Sequence, residues 1–407
     1  MFYGGKIMKL TAKTVFRILI IGALVCMLVF ALCACADGED EQKPSDDNEP
    51  SFYYAQDEVE GYAKSAANLN RYEGCRDKAE PLFVIPGLKK GKNFVLQGVE
   101  YCEELNWTFL CGYINPSTDK SNSVIFVLDM NKTKVASNGK AYNGVLIKEL
   151  FLEKENGEAF KGHAGGIAVT KKNVWIANGS KLHRISLDNV KNVAESGNVK
   201  IEGSVSVPVL ASYCSYSDGI LWVGEFEYAR DDYNTDAAHH NPQNASLTAW
   251  SAGYRIDESG AEGFDETTGF LSANMKNTLV PDFVLWHGEK VQGMAEVGSK
   301  LVLSVSYGRK NASKLLIYEN SVRGKNAREC DITVQISGES VPCYLLTSPV
   351  QSVTAPPMTE DLSTVLKNGE YKIFVATESS AYYYHGYKLL NRSVDPMDTV
   401  WSYTVEQ

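Results

Sequence analysis

The sequence predicts an all-β chain built from repeated four-stranded units, and three observations lead there. The first is a recurring opening. "QGVEYCEELNWTFLCGY" (97–113) and "QGMAEVGSKLVLSVSYGR" (292–309) begin alike. Both align without gaps with "GGIAVTKKNVWIANGSK" (165–181) and "SYCSYSDGILWVGEFEY" (212–228). The second is the texture of each unit: short alternating strands bounded by Gly, Asn and Asp turns, the pattern of β structure. The third is circular closure. The folded region begins on a strand of the outermost type (81–87) and ends on a third strand (399–406), so the N-terminal strand can complete the last unit. Closure of this kind leaves fewer open strand edges. Repeats of this period, four strands each around an axis, define a β-propeller.

Each unit opens with a short strand such as 165–170, turns through two to four residues, and continues with a second strand: "VWIA", "LWVG", "LVLS". Third strands are read at 124–129, 181–188, 248–257 and 314–319. The fifth unit is looser, with strands expected at 352–358, 371–378 and 399–406. Outer strands are expected at 81–87, 146–153, 199–208, 282–288 and 343–349. Five blades follow. Six is the alternative, because the long span 229–281 has room for a further hairpin. Residues 55–73 read as a helix against the ring, so 52–80 is a partly helical segment and 81–407 the propeller.

The N-terminus is read as a targeting segment. Lys6, Lys9, Lys13 and Arg17 precede a continuous apolar run, 18–32. The "LCAC" that follows resembles the lipobox of bacterial lipoproteins, with Leu32 at −3, Ala34 at −1 and Cys35 as the lipidated residue. The resemblance implies a signal peptide over 1–34, a palmitate-class anchor on Cys35 and placement on the outer face of the cell membrane. An ordinary signal peptide or an uncleaved anchor is the alternative. Residues 35–51 are acidic and lack large apolar side chains, so they are expected to form a disordered tether. Removing 1–34 takes four of the 40 basic residues and none of the 50 acidic ones, leaving −14. That balance argues against a nucleic-acid partner.

Of nine cysteines, Cys26 and Cys33 leave with the leader and Cys35 is the lipid site. Among the remaining six, Cys330 and Cys343 are placed to close a hairpin; buried free thiols are the other reading. Cys102 and Cys111 fall on facing strands but out of register. No CxxC occurs, which leaves zinc and thiol redox chemistry without a motif.

Candidate site residues follow from the repeat. The innermost strands are expected to begin at Gln97, Gly165 (with His163 just before), Ser212, Gln292 and Pro356, with Glu360 close by. Small residues there let backbones crowd one axis. The polar ones could bind a ligand, or simply satisfy one another and the backbone. Loops after the second strands form one rim, carrying Tyr113, Glu225, Tyr228, Arg230, Tyr307, Arg309, Glu378, Tyr382 and Tyr383. Aromatic faces with polar neighbours suit sugars, peptides or protein surfaces. Adjacent His239 and His240 are a weak metal signal. Phosphate-loop, dinucleotide and GxSxG motifs are absent, and no cofactor is implied. The units at 162–188, 292–318 and 356–405 resemble those of secreted bacterial β-propeller proteins of uncharacterised role. The resemblance implies the fold over 81–406 and no catalytic residue. The expected function is a membrane-anchored binding or scaffold module for a protein, peptide or glycan. A hydrolase of carbohydrate or a small ester or phosphate at the channel mouth is the competing reading, and a structural part of an envelope complex a third.

Overall fold

The computed structural model describes residues 58–88, 92–114, 122–136, 139–231, 233–256, 278–385 and 392–407. The leader, Cys35, the acidic tether and part of the rim at 115–117 lie outside the described residues. So does 257–277, within the span considered for a sixth blade.

Helix α1 (Glu58–Leu69) precedes strand β1 (Ala79–Val84). Blade 1 follows as β2 (Phe94–Cys102), β3 (Trp107–Ile114), β4 (Asn122–Val135) and β5 (Ala141–Glu153). Blade 2 is β6 (Gly166–Val169), β7 (Asn173–Asn178), β8 (Lys181–Ser186) and, after helix α2 (Leu187–Asn192) and strand β9 (Ser196–Lys200), β10 (Gly203–Ser206). β9 adds in parallel to the edge of β5. Blade 3 is β11 (Ala211–Ser217), β12 (Ile220–Glu225), β13 (Ala249–Arg255) and β14 (Phe283–His287). Blade 4 is β15 (Val291–Val297), β16 (Lys300–Val305) and β17 (Ser313–Glu319). The hairpin β18 (Ile332–Ile336) and β19 (Glu339–Leu345) then returns to blade 3, where β19 pairs in parallel with β14. β20 (Gln351–Ala355) completes blade 4. Blade 5 is β21 (Thr359–Lys367), β22 (Glu370–Thr377), helix α3 (Tyr382–His385) and β23 (Thr399–Thr404). β1 is its outer strand, antiparallel to β23, with Phe83 opposite Val400 and Ala79 opposite Tyr403. The chain is therefore a five-bladed propeller closed by its N-terminal strand.

Two strand assignments are corrected. Residues 343–349 are not the outer strand of blade 4: Cys343 and Leu345 lie opposite Val284 and Trp286 of blade 3. Residues 352–358 are not the first strand of blade 5 but fall largely in β20, which pairs with β17. Pro356 and Pro357 follow directly and cannot donate to a ladder, so the strand stops there. Pro356 accordingly does not begin an innermost strand; that position belongs to Thr359.

The core is circular as well. Five apolar clusters lie at the five junctions between neighbouring blades. One example packs Phe109, Ile125 and Leu150 of blade 1 on Ile167, Val174 and Ile176 of blade 2. Another closes the ring, with Phe83, Phe374 and Val400 of blade 5 on Phe94, Leu96 and Phe126 of blade 1. The others join blades 2 and 3, 3 and 4, and 4 and 5. All six cysteines among the described residues are free thiols, Cys330 and Cys343 included. Two fill inter-blade space: Cys111 donates to Ala164 O at 3.2 Å and Cys214 reaches Trp175 O at 3.7 Å. α1 docks on blade 5, where Ser65 Oγ accepts from the backbone N–H of Asp398 and Thr399 and Lys64 pairs with Asp398 at 2.7 Å.

Candidate functional site at one mouth of the axial channel

The innermost strands share one irregularity that positions the site. β2, β11 and β15 each carry a bulge at Gln97, Ser212 and Gln292, because Leu96 and Gly98, Ala211 and Tyr213, Val291 and Gly293 pair with consecutive residues of the second strand. β21 has the same extra residue across Glu360 and Asp361. A bulge re-aims a side chain out of the alternating ladder. Four strands thus turn a polar residue to the same place, and Gly165 occupies it in the fifth. Non-glycine residues with positive φ enter four of these strands: Asn93, Ala164, Lys290 and Met358. That backbone is costly for Ala, Lys and Met.

These residues line a cavity of about 560 Å³. Gln97, His163, Gln292, Tyr307, Arg309, Glu360 and Glu378 all reach it, together with Ser212 and Tyr384. Tyr113 stands just behind: its hydroxyl is 3.4 Å from that of Tyr384 and its ring packs on His163 at 4.9 Å. Glu225 is elsewhere. It is 1% exposed and braces blade 3, accepting from His239 Nδ1 at 2.7 Å, Trp250 N at 2.9 Å and Leu210 N at 3.3 Å. His240 meets Thr235 Oγ1 at 3.2 Å, so the histidine pair is structural. Among the described residues no group of three His, Cys, Asp or Glu is arranged to hold a metal ion.

The cavity floor is a carboxyl pair. Glu360, at the β21 bulge, and Glu378, just past β22, are close enough to share a hydrogen bond. Burial raises the Glu360 pKa well above the usual carboxylate range, and the neighbouring charges of Glu378 and Asp361 raise it further. Burial also pushes Glu378 up, to about 7, against hydrogen bonds from Gln97 and Tyr384 and the nearby charge of Arg309. Gln97 Nε2 donates to Glu378 Oε2 at 2.8 Å. The Arg309 guanidinium lies over the Tyr384 ring at 4.7 Å. His163 faces the open mouth, yet the crowded protein around it lowers its pKa, which favours the neutral ring.

Below the floor lies Asp361, a residue that no repeat pattern marks. It is wholly buried and accepts from Leu362 N at 3.0 Å, and burial raises its pKa well above the usual carboxylate range against the nearby backbone N–H groups of Leu362, Ile167 and Val99. Its carboxyl therefore stands where the innermost strands of blades 5, 2 and 1 meet. Glu100 lies below it, buried, in the wall of a second cavity of about 490 Å³ at the opposite mouth. Tyr384 was missed too; its neighbours Tyr382 and Tyr383 were the residues singled out. The "YYYH" run marks aromatic content but not which ring turns inward.

What the floor can do chemically follows from its spacing. Hydrolysis of a glycosidic bond uses two carboxyl groups about 5–5.5 Å or about 6.5–9.5 Å apart, with the bond or a water between them. Here the two touch. Two carboxyls within hydrogen-bond reach of one another favour holding a proton between them, and burial raises both pKa values in that direction.

No family model matches the chain, and no curated protein matches it. Among solved structures it is similar to glutaminyl cyclase from Myxococcus xanthus, at 8% identity over 77% of this chain and 90% of that one, with a TM-score of 0.34. A glucose dehydrogenase matches at 9% identity over 77% and 83%, with a TM-score of 0.33. Hydrazine synthase from Kuenenia stuttgartiensis matches at 10% identity, with a TM-score of 0.29; the match covers 69% of this chain and 56% of that one. Their activities are theirs, and at this distance none is carried to this chain.

Proposed function

We propose that the chain is a lipid-anchored, extracytoplasmic binding module that seats a polar group of a peptide or glycan in the cavity over Glu360 and Glu378. The observation that carries the reading is convergence. Bulges on separate blades turn Gln97, Ser212, Gln292 and Glu360 to one point, and rim residues Tyr307, Arg309 and Tyr384 wall it. Its volume lies in the range of small-ligand pockets, about 300–1,000 Å³. Gln292 is half-buried and lines the same cavity, where its amide can meet a ligand. The touching carboxyls weigh against the hydrolase reading, since no bond fits between them.

Two results are expected. Cys35→Ser should move most of the protein from the membrane fraction to the medium or the soluble fraction; unchanged membrane retention would remove the lipid anchor from the account. In a thermal-shift screen of short peptides and oligosaccharides with the full chain in detergent, a true ligand should lose about tenfold in affinity on Tyr384→Ala. It should be unaffected by Tyr216→Ala at the opposite mouth. The reverse pattern would place binding at the other end of the channel.

A further inference from the structure

We propose that the group seated on the Glu360–Glu378 pair is an ammonium, so that the ligand is a primary amine such as a lysine side chain or an amino sugar. The inference rests on the cavity being the binding site and adds the charge of what it holds. Glu360 is only 5% exposed, and the partner its carboxyl has among the described residues is another carboxyl. That contact holds only while a proton lies between them. Glu378 is partly open to the cavity and has already taken its donors from Gln97 and Tyr384.

The groups around the pair can be followed blade by blade. Arg309 comes from blade 4, and it lies flat on Tyr384. Neutral His163, packed on Tyr113, comes from the blade 1–blade 2 side. Tyr113 and Tyr384 are phenols that burial keeps protonated. Asp361 below adds negative charge. Blade 3 contributes Ser212 and the ring of Phe226. Among the described residues, then, two carboxyls face one guanidinium, and negative charge is left unbalanced when both are ionised. An entering ammonium supplies the balancing charge and three donors. Gln292 can offer an amide oxygen to one of them, and the aromatic side chains of Tyr307 and Phe226 line the same space.

The exchange balances simply. The amine arrives as its ammonium, the shared proton leaves the carboxyl pair for solvent, and no covalent bond changes. The test is calorimetric, on the full chain in detergent. Deacetylated chitobiose is compared with its N-acetylated form, and a blocked Ala-Lys-Ala peptide with its norleucine counterpart. Titration at about pH 7.5, above the value near 7 for Glu378 so that the pair holds a single proton, in two buffers of different protonation enthalpy should show net proton release on amine binding and none with the neutral counterpart. Whichever amine probe binds names the source. Its neutral counterpart should bind about tenfold or more weakly, and Glu378→Gln should remove the preference. Glu360→Gln, which keeps the shape, is the second variant should the first unfold. Equal binding of charged and neutral probes, lost on Tyr384→Ala, would overturn the ammonium inference and leave the cavity as the site. No binding by these probes or by any member of the ligand screen would overturn both.

Discussion

A chain beginning at Ile85 is expected not to fold, whereas one beginning at Gly74 folds. The two differ by the outer strand of blade 5. Without β1, the edge of β23 loses its partner from Thr399 to Tyr403. The cluster between blades 5 and 1 loses Phe83, which packs with Phe94, Phe126 and Val400. Losing a buried Phe side chain alone costs about 3–5 kcal/mol. The opened ladder adds to that, so the loss approaches the whole stability of a domain, about 5–15 kcal/mol. A chain beginning at residue 52 adds α1 and should be more stable than the Gly74 chain, since α1 contributes the Lys64–Asp398 pair and the Ser65 bonds. Circular dichroism with thermal melting reads all three. A cooperative melt from the Ile85 chain, at the temperature of the others, would mean that β1 does not close the ring.

Gly166→Ala should be among the most damaging single methyls in the protein. A Cβ on Gly166 would lie 2.3 Å from the backbone N of Cys214 and 2.6 Å from the Cα of Tyr213. Both obstacles are backbone of the next innermost strand, which cannot rotate away. Gly98 faces Gly166 and Ile167 in the same manner, and Gly293 faces Asp361. The innermost strands touch backbone to backbone around the axis, so one methyl must widen the ring. We expect a loss of about 3 kcal/mol or more in urea unfolding. Gly139→Ala is the control for loss of glycine itself, since it has a positive φ but open space around it. A Gly166→Ala protein no less stable than Gly139→Ala would contradict the crowded axis.

The same crowding explains what the sequence made legible. The Gly after Gln97 and after Gln292 is the signature of strands that meet at an axis, and the Gln before each is the bulge residue. Repetition exposed both. It could not expose Asp361, because "TEDLSTVLK" carries two acids where an innermost strand was expected to be apolar and small. The stretch "SVTAPPM" (352–358) beside it reads better as a strand, and its first four residues do form one, in β20. It alternates because it is an outer strand with one face toward solvent. Residues 343–349 failed for a related reason: an apolar strand shows that it will be covered but not by which blade, and the hairpin folds back to β14. Glu225 occupies a rim position in the aligned repeats, yet the long loop after β12 returns over it and places His239 on its carboxylate. Pairwise geometry of that kind is made by the loop, and no local pattern announces it.

In the proposed site, two buried carboxyls share a proton at neutral pH on the floor of the axial cavity. The sharing has a consequence for stability. Folded Glu378 titrates near 7, far above its ordinary 4.5, and Glu360, Asp361 and Glu100 are raised in the same direction. Between these values the folded protein holds protons that the unfolded chain has released. Stability from this source is therefore full below the ordinary carboxylate pKa and is lost as pH rises through about 7. The direct measurement is a carbon-13 NMR titration of the glutamate side-chain carboxyls, assigned with Glu378→Gln and Glu360→Gln. One of the pair should titrate near neutral pH, and its curve should shift when the other is replaced by Gln. Two independent carboxyls titrating near the ordinary value of about 4.3 would contradict the account.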